Sequence, residues 1–153
     1  MKVELDIDES LQEDSITIHC RELSDEVIEL QRQIASYCSG TKRIIAEKNG
    51  TEFYLELKDL CFMEADGNYI AIHTATDIYR TKQKLYELEE LLPRDFIRVS
   101  KSAIINTKQV TAIKKNIAGP SEIAFKGSSK RTYASRNYIR ALLEIMDEKR
   151  LQK

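Results

Sequence analysis

Over most of residues 43–134, apolar side chains recur at every second position in short runs, and turn sequences cut those runs apart. No other feature of the chain constrains its fold as much. A period of two places the apolar side chains on one face of an extended strand. Asn49-Gly50 separates residues 43–48 from 51–57, and Asn-Gly is a strong hairpin signal because both positions accept positive φ. Residues 51–57 carry Phe53, Leu55 and Leu57 on one side. Residues 59–65 (DLCFMEA) read as a third strand, Asp66-Gly67-Asn68 as a turn, 69–74 (YIAIHT) as a fourth strand and 78–81 as a shorter one. The middle of the chain is therefore an antiparallel meander.

The period changes at residues 82–92, where Leu85, Leu88, Leu91 and Leu92 mark one face of an amphipathic helix that Pro93 stops. Residues 96–99 read as a strand and 102–105 as one helical turn. Strands follow at 109–114, 122–125 and 131–134, with turns at Gly119-Pro120 and 126–130. Ser135 is placed to cap a last helix over 136–149, with Ile139, Leu142, Leu143 and Met146 inward. Ahead of the meander, residues 2–8 (Val3, Leu5, Ile7) and 15–20 (Ile16, Ile18) alternate as two strands. Ser24, with Asp25 and Glu26 after it, starts a helix over 24–38 that Gly40 ends. This β-β-α unit, residues 1–40, is too small to be stable alone. It is expected to pack on the rest of the chain or on another subunit.

Charge divides the same way. Residues 1–40 hold ten acids against three bases, a net of −7 in a chain of net charge −1. Residues 94–140 hold eleven bases against Asp95 and Glu122, a net of +9. A concentrated positive field on a folded scaffold is the footprint of a polyanion binder. Apolar runs with strand character separate those bases, which puts them at strand ends and in loops.

Several classes are set aside. No stretch approaches the roughly 18 apolar residues of a membrane span, and the acidic N-terminus is not a signal peptide. The cytoplasm is the expected compartment. Cys20, Cys38 and Cys61 match no zinc spacing and read as buried thiols, so no metal or cofactor is expected. The motifs of nucleotide-binding loops, zinc proteases and serine hydrolases are missing. His73, inside an alternating strand, reads as a packed or hydrogen-bonded side chain rather than a base. The chain is not expected to be an enzyme.

Four segments carry a family resemblance: FMEADGNYIAIHT, LYELEELL, FIRVSKSAIIN and YASRNYIRALL. In this order and spacing, residues 43–146 resemble the LytTR-type DNA-binding domain of bacterial transcription regulators. The resemblance covers about two thirds of the chain. It implies an elongated, mainly β fold with a few helices, a domain over 43–149, and loops that enter successive major grooves of duplex DNA, usually at direct repeats. Many relatives carry a receiver domain ahead of this one. The roughly 40 residues before it here are too few for a receiver, so the chain resembles the free-standing subtype.

The resemblance also implies contact residues on three loops. The first supplies Asn68 and Tyr69 beside Asp66 and Gly67; the Asn68 amide suits adenine, although Asp66-Gly67-Asn68 is equally a good turn sequence. The second supplies Ser100, Lys101 and Ser102. The family commonly has His then Arg where this chain has Ser100 and Lys101; Lys101 keeps the basic character and suits guanine or a phosphate, and Ser102 suits a phosphate. The third supplies Arg136 and Asn137 at the edge of the last helix, with Arg136 shaped for guanine or phosphate. Lys130 and Arg131 lead into the last strand and are assigned to the DNA backbone. Asn106 reads as a turn tie instead. Residues 1–40 are a candidate for homodimerisation as well as for packing on the rest of the chain. Two other readings stay open: an RNA or single-strand binder using the same basic face, and a protein-interaction module.

Overall fold

The computed structural model describes residues 2, 4, 6–12, 15–38 and 43–151. The chain divides into two compact units, 1–40 and 41–153. In the first, α1 spans Asp25–Cys38. Its start follows from local chemistry. Ser24 Oγ accepts from the Val27 N–H at 3.3 Å and the Ser24 carbonyl from the Ile28 N–H at 3.0 Å. Asp25 and Glu26 occupy the first turn, where the helix dipole favours acids.

The strand expected over 15–20 does not form. Alternation alone is not enough, because an extended run gains ladder hydrogen bonds only beside a partner strand. The strand expected over 2–8 rests on Val3 and Leu5, which lie outside the described residues, as does Gly40. No described residue of 1–40 is buried, and Ile7, Leu11, Ile16, Leu23 and Tyr37 are exposed. Cys20 and Cys38 are therefore exposed rather than buried, whereas Cys61 is buried.

The second unit is built from β1 (Arg43–Lys48), β2 (Thr51–Glu56), β3 (Leu60–Asp66), β4 (Tyr69–Thr74), β5 (Ile78–Thr81), α2 (Leu85–Leu91), β6 (Phe96–Ser100), β7 (Ala103–Asn106), β8 (Val110–Lys114), β9 (Ser121–Phe125), β10 (Arg131–Ala134) and α3 (Ile139–Leu151). Seven strands form one antiparallel sheet in the order β2-β1-β5-β4-β3-β7-β6, and three form another in the order β10-β9-β8. Asn49 and Gly50 both take positive φ (53° and 76°), as a type I′ hairpin turn requires.

Two apolar layers follow from the alternation. Ile44, Ala46, Leu60, Met63, Ile70, Ile72 and Ile104 join Leu85 and Leu88 of α2 on one face of the large sheet. Cys61, Phe62, Val99, Ala103 and Ile105 face the other way and meet Ile123, Phe125 and Ala134 of the small sheet and Leu142 of α3. Neighbouring Cys61 and Phe62 share a layer because β3 carries one extra residue between Leu60 and Phe62 relative to β4.

Residues 103–106 are a strand and not the expected helical turn. All four are buried between β3 and β6, and a short run buried on both faces shows no period. Both later helices start further along than their apolar spacing implies. Tyr138 and Ile139 donate to the Ser135 carbonyl, each at 3.0 Å, so residues 136–138 form a turn ahead of α3. Within α2, Leu85 and Leu88 point inward while Leu91 is exposed. Asn106 is the tie its position suggests: its Nδ2 donates to the Leu60 carbonyl at 2.9 Å and its Oδ1 accepts from the Lys108 N–H at 3.1 Å.

Candidate nucleic-acid interface

Backbone hydrogen bonds bring three loops to one end of the large sheet. Gly67 and Asn68 join β3 to β4 in a two-residue turn closed by the Asp66–Tyr69 pair, with Gly67 at φ 60°. Lys101 and Ser102 join β6 to β7. The Ala65 N–H donates to the Ser102 carbonyl at 2.8 Å, which sets these two turns side by side. The Ser135 N–H donates to the Val99 carbonyl at 2.8 Å, which sets the 135–138 turn beside the end of β6. Asn68, Lys101, Ser102, Arg136 and Asn137 are exposed on this end, and Tyr69 and Ser100 are half-buried.

The Lys101 turn is braced from beneath. Arg98 Nε donates to the Ser100 carbonyl at 2.8 Å, Nη2 to the Lys101 carbonyl at 2.5 Å and Nη1 to Glu89 Oε2 at 2.8 Å. One half-buried guanidinium thus ties the tip of the hairpin to a carboxylate near the end of α2. The β6 strand also carries one extra residue between Arg98 and Ser100, a bulge next to the turn. Ser100 Oγ accepts from the Ser102 N–H at 3.1 Å and lies 3.3 Å from Ser102 Oγ. Both hydroxyls therefore stabilise the turn itself.

Lys130 and Arg131 are not brought to this end. Strand β4 leaves the turn at Tyr69 and ends at Thr74, about 16 Å away at ordinary strand rise. Lys130 Nζ donates to the carbonyls of Thr74 and Asp77 at 3.0 and 2.5 Å, and Ser128 Oγ donates to that of Ala75 at 2.8 Å. Burial holds the Lys130 pKa below the ordinary lysine value, partly offset by Asp77. Arg131 is exposed, with Nη1 on the Lys130 carbonyl at 2.8 Å and Nε 3.5 Å from Glu122.

Two basic side chains beside the loops escaped the sequence reading. Arg98 was visible only as one charge among eleven, and its role depends on the β6 bulge. Arg80 lies outside the basic stretch, yet its guanidinium stands 5.6 Å from the Tyr69 ring centroid. The pairing of β5 with β4 puts it there, Ala71 opposite Arg80 and Ile70 opposite Thr81.

His73 sits in the interior. Its ring stacks on Phe62 at 4.1 Å between centroids, and Phe62 stacks on Phe125 at 5.1 Å. Its Nε2 is 3.1 Å from Glu64 Oε1, while Nδ1 is buried without a hydrogen-bond partner. Burial, then the Lys130 charge, lowers its pKa to about 4, so the imidazole is neutral at pH 7. Burial, then Asp66, raises that of Glu64. Among the described residues no group of three or more His, Cys, Asp or Glu side chains is placed to hold a metal. No helix of the described residues is long and apolar enough to cross a membrane.

The fold has counterparts in known proteins. A LytTr DNA-binding domain from Bacillus cereus superposes with a TM-score of 0.63 at 20% identity, covering 70% of this chain and 98% of that one. A Staphylococcus aureus (strain NCTC 8325 / PS 47) protein named an uncharacterized HTH-type transcriptional regulator is 25% identical over 144 residues, 94% of this chain and 97% of its own length. A second protein described as an uncharacterized HTH-type transcriptional regulator, from Staphylococcus aureus strain MRSA252, is 24% identical over 144 residues. Helix-turn-helix motifs need two consecutive helices joined by a short turn. Here strands separate every pair of helices among the described residues. The LytTr DNA-binding domain family matches over residues 51–147, from the second strand of the meander into the last helix, and the chain belongs to that family.

Proposed function

We propose that this protein is a cytoplasmic bacterial transcription regulator that binds duplex DNA at direct repeats, with the three loops entering the major groove and with neither cofactor nor catalysis. The convergence of exposed Asn68, Lys101 and Arg136 at one end of the seven-stranded sheet carries this reading. Asn68, Lys101 and Arg136 read base edges, with Tyr69, Ser100, Ser102 and Asn137 supporting them or meeting phosphates. Lys130, tied to the carbonyls of Thr74 and Asp77, and Arg131, paired with Glu122, lie away from this end and are left out of the interface. Mobility shift against the protein's own upstream DNA and against random duplex tests the whole reading. Selective binding that weakens steeply as salt rises is the expected result. Weak, unselective binding together with no motif from a random pool would favour a protein-interaction module.

Single substitutions separate reading from gripping. Lys101→Ala and Arg136→Ala are each expected to cost about 1–3 kcal/mol on the selected duplex and much less on random DNA. Lys114→Ala is expected to weaken both duplexes alike. Equal losses on both for Lys101→Ala would contradict its reading role.

We also infer that residues 1–40 join two copies of the chain. The unburied apolar side chains of this unit support that inference. Leu30 and Ile34 lie four apart on α1, at the spacing of one helix face. Sedimentation of the full chain without DNA is expected to show a dimer that Leu30→Glu with Ile34→Glu dissociates. A monomer at high concentration would end this version.

A further inference from the structure

The hairpin joining β8 to β9 ends in a tip, residues 115–120, that belongs to none of the three loops. Its root lies beside them. Ser121 pairs with Ala134 across β9 and β10, and the next residue, Ser135, is the one bonded to Val99. The tip is internally tied. The Asn116 N–H donates to Ser121 Oγ at 3.2 Å, and the Ala118 N–H donates to Asn116 Oδ1 at 3.1 Å. A Cβ on Gly119 would come within 3.3 Å of Asn116 Nδ2, so the turn is closely packed there.

On this frame Ile117 is 98% exposed. Exposed Lys114 and Lys115 precede it. Glu122, the acid paired opposite Lys114, is engaged by Arg131 at 3.5 Å. A lone exposed isoleucine is ordinary. This one is held out by a hydrogen-bonded turn, follows two lysines and stands next to the loops that face DNA.

We propose that the β8–β9 tip is a fourth DNA contact, in which Ile117 packs on the 5-methyl group of a thymine while Lys114 and Lys115 hold flanking phosphates. The proposal rests on the DNA-binding reading above and adds to it a base-specific contact made without hydrogen bonds. The thymine methyl is the apolar group that the major groove presents, and an aliphatic side chain is the matching reader. Lysines supply point charges for phosphate without dictating sequence.

The test uses the full chain and the duplex it selects from a random pool. Each thymine is replaced in turn by deoxyuridine, which removes only the methyl. At the contacted position the wild-type protein is expected to lose about fourfold in affinity, the worth of one buried methyl-sized group. Ile117→Ala is expected to bind the thymine duplex about tenfold more weakly and to ignore the deoxyuridine substitution. Lys114→Ala and Lys115→Ala are expected to weaken both duplexes equally and to keep the fourfold methyl effect. Because Ile117 is fully exposed, its thermal melt should match the wild type.

Ile117→Ala binding as tightly as wild type would overturn the proposal. So would a loss that leaves the methyl effect intact, or a change in self-association without DNA, which would assign the tip to contact between copies. A wild-type protein that selects no sequence would instead remove the DNA-binding reading itself.

Discussion

Phe62→Ala is expected to destabilise the 41–153 unit by about 3–5 kcal/mol, read as a lower denaturant midpoint at unchanged slope. Phe62 is 2% exposed, and its ring lies between those of His73 on β4 and Phe125 on β9. It therefore joins the two sheets as well as filling a core. Alanine leaves a cavity between them that rigid strands on both sides cannot close, which puts the cost at the upper end for a core truncation. Phe62→Leu should recover most of the loss by refilling volume, though not the stacking. A Phe62→Ala loss below about 1 kcal/mol would mean that the small sheet is not anchored through this ring.

The second large effect is on acid stability. The His73 pKa falls from 6.5 to about 4 on folding, so the unfolded chain takes up this proton at a higher pH than the folded one. Stability is thus fully present above pH 6.5 and declines as pH falls toward 4, by roughly 3 kcal/mol in all. The groups facing the ring are Glu64, Lys130 and Asp66. Glu64 acts in the opposite sense: its raised pKa favours the folded state as it protonates, so the observed decline will be smaller than His73 alone would give. Asp95 adds to the acid loss at lower pH. Burial would raise its pKa, but Lys149 and Lys108 outweigh burial and lower it. Thermal melts from pH 7.5 to 4.5 on wild type and on His73→Leu measure the effect. The variant should show a flatter profile; identical profiles would show that the imidazole is not held neutral in the interior.

The strands were legible in the sequence because most are half-buried, and half-burial imprints alternation. Asn49, Gly50 and Gly67 marked their turns because those positions take positive φ. Residues 103–106 failed the same test because burial on both faces erases the period. Residues 15–20 failed in the other direction, since alternation was present and, among the described residues, a partner strand was not. The contact loops were legible as sequences, but their meeting at one end was implied only by the family resemblance. That depends on which strand ends the topology brings together, and it is why Lys130, assigned to the DNA backbone, lies at the far end of β4. Arg98 and Arg80 were illegible for a related reason. Each works through a register, and a register belongs to a pair of strands.

The three loops are fastened by main-chain atoms: Ala65 to Ser102, and Ser135 to Val99. Such fastenings are indifferent to the side chains that the loops display. Substitutions at Asn68, Lys101 or Asn137 can accumulate while the mounting stays unchanged. A lineage can then retarget to new promoters by drift at a few exposed positions, and an engineer can randomise those positions with little risk to expression.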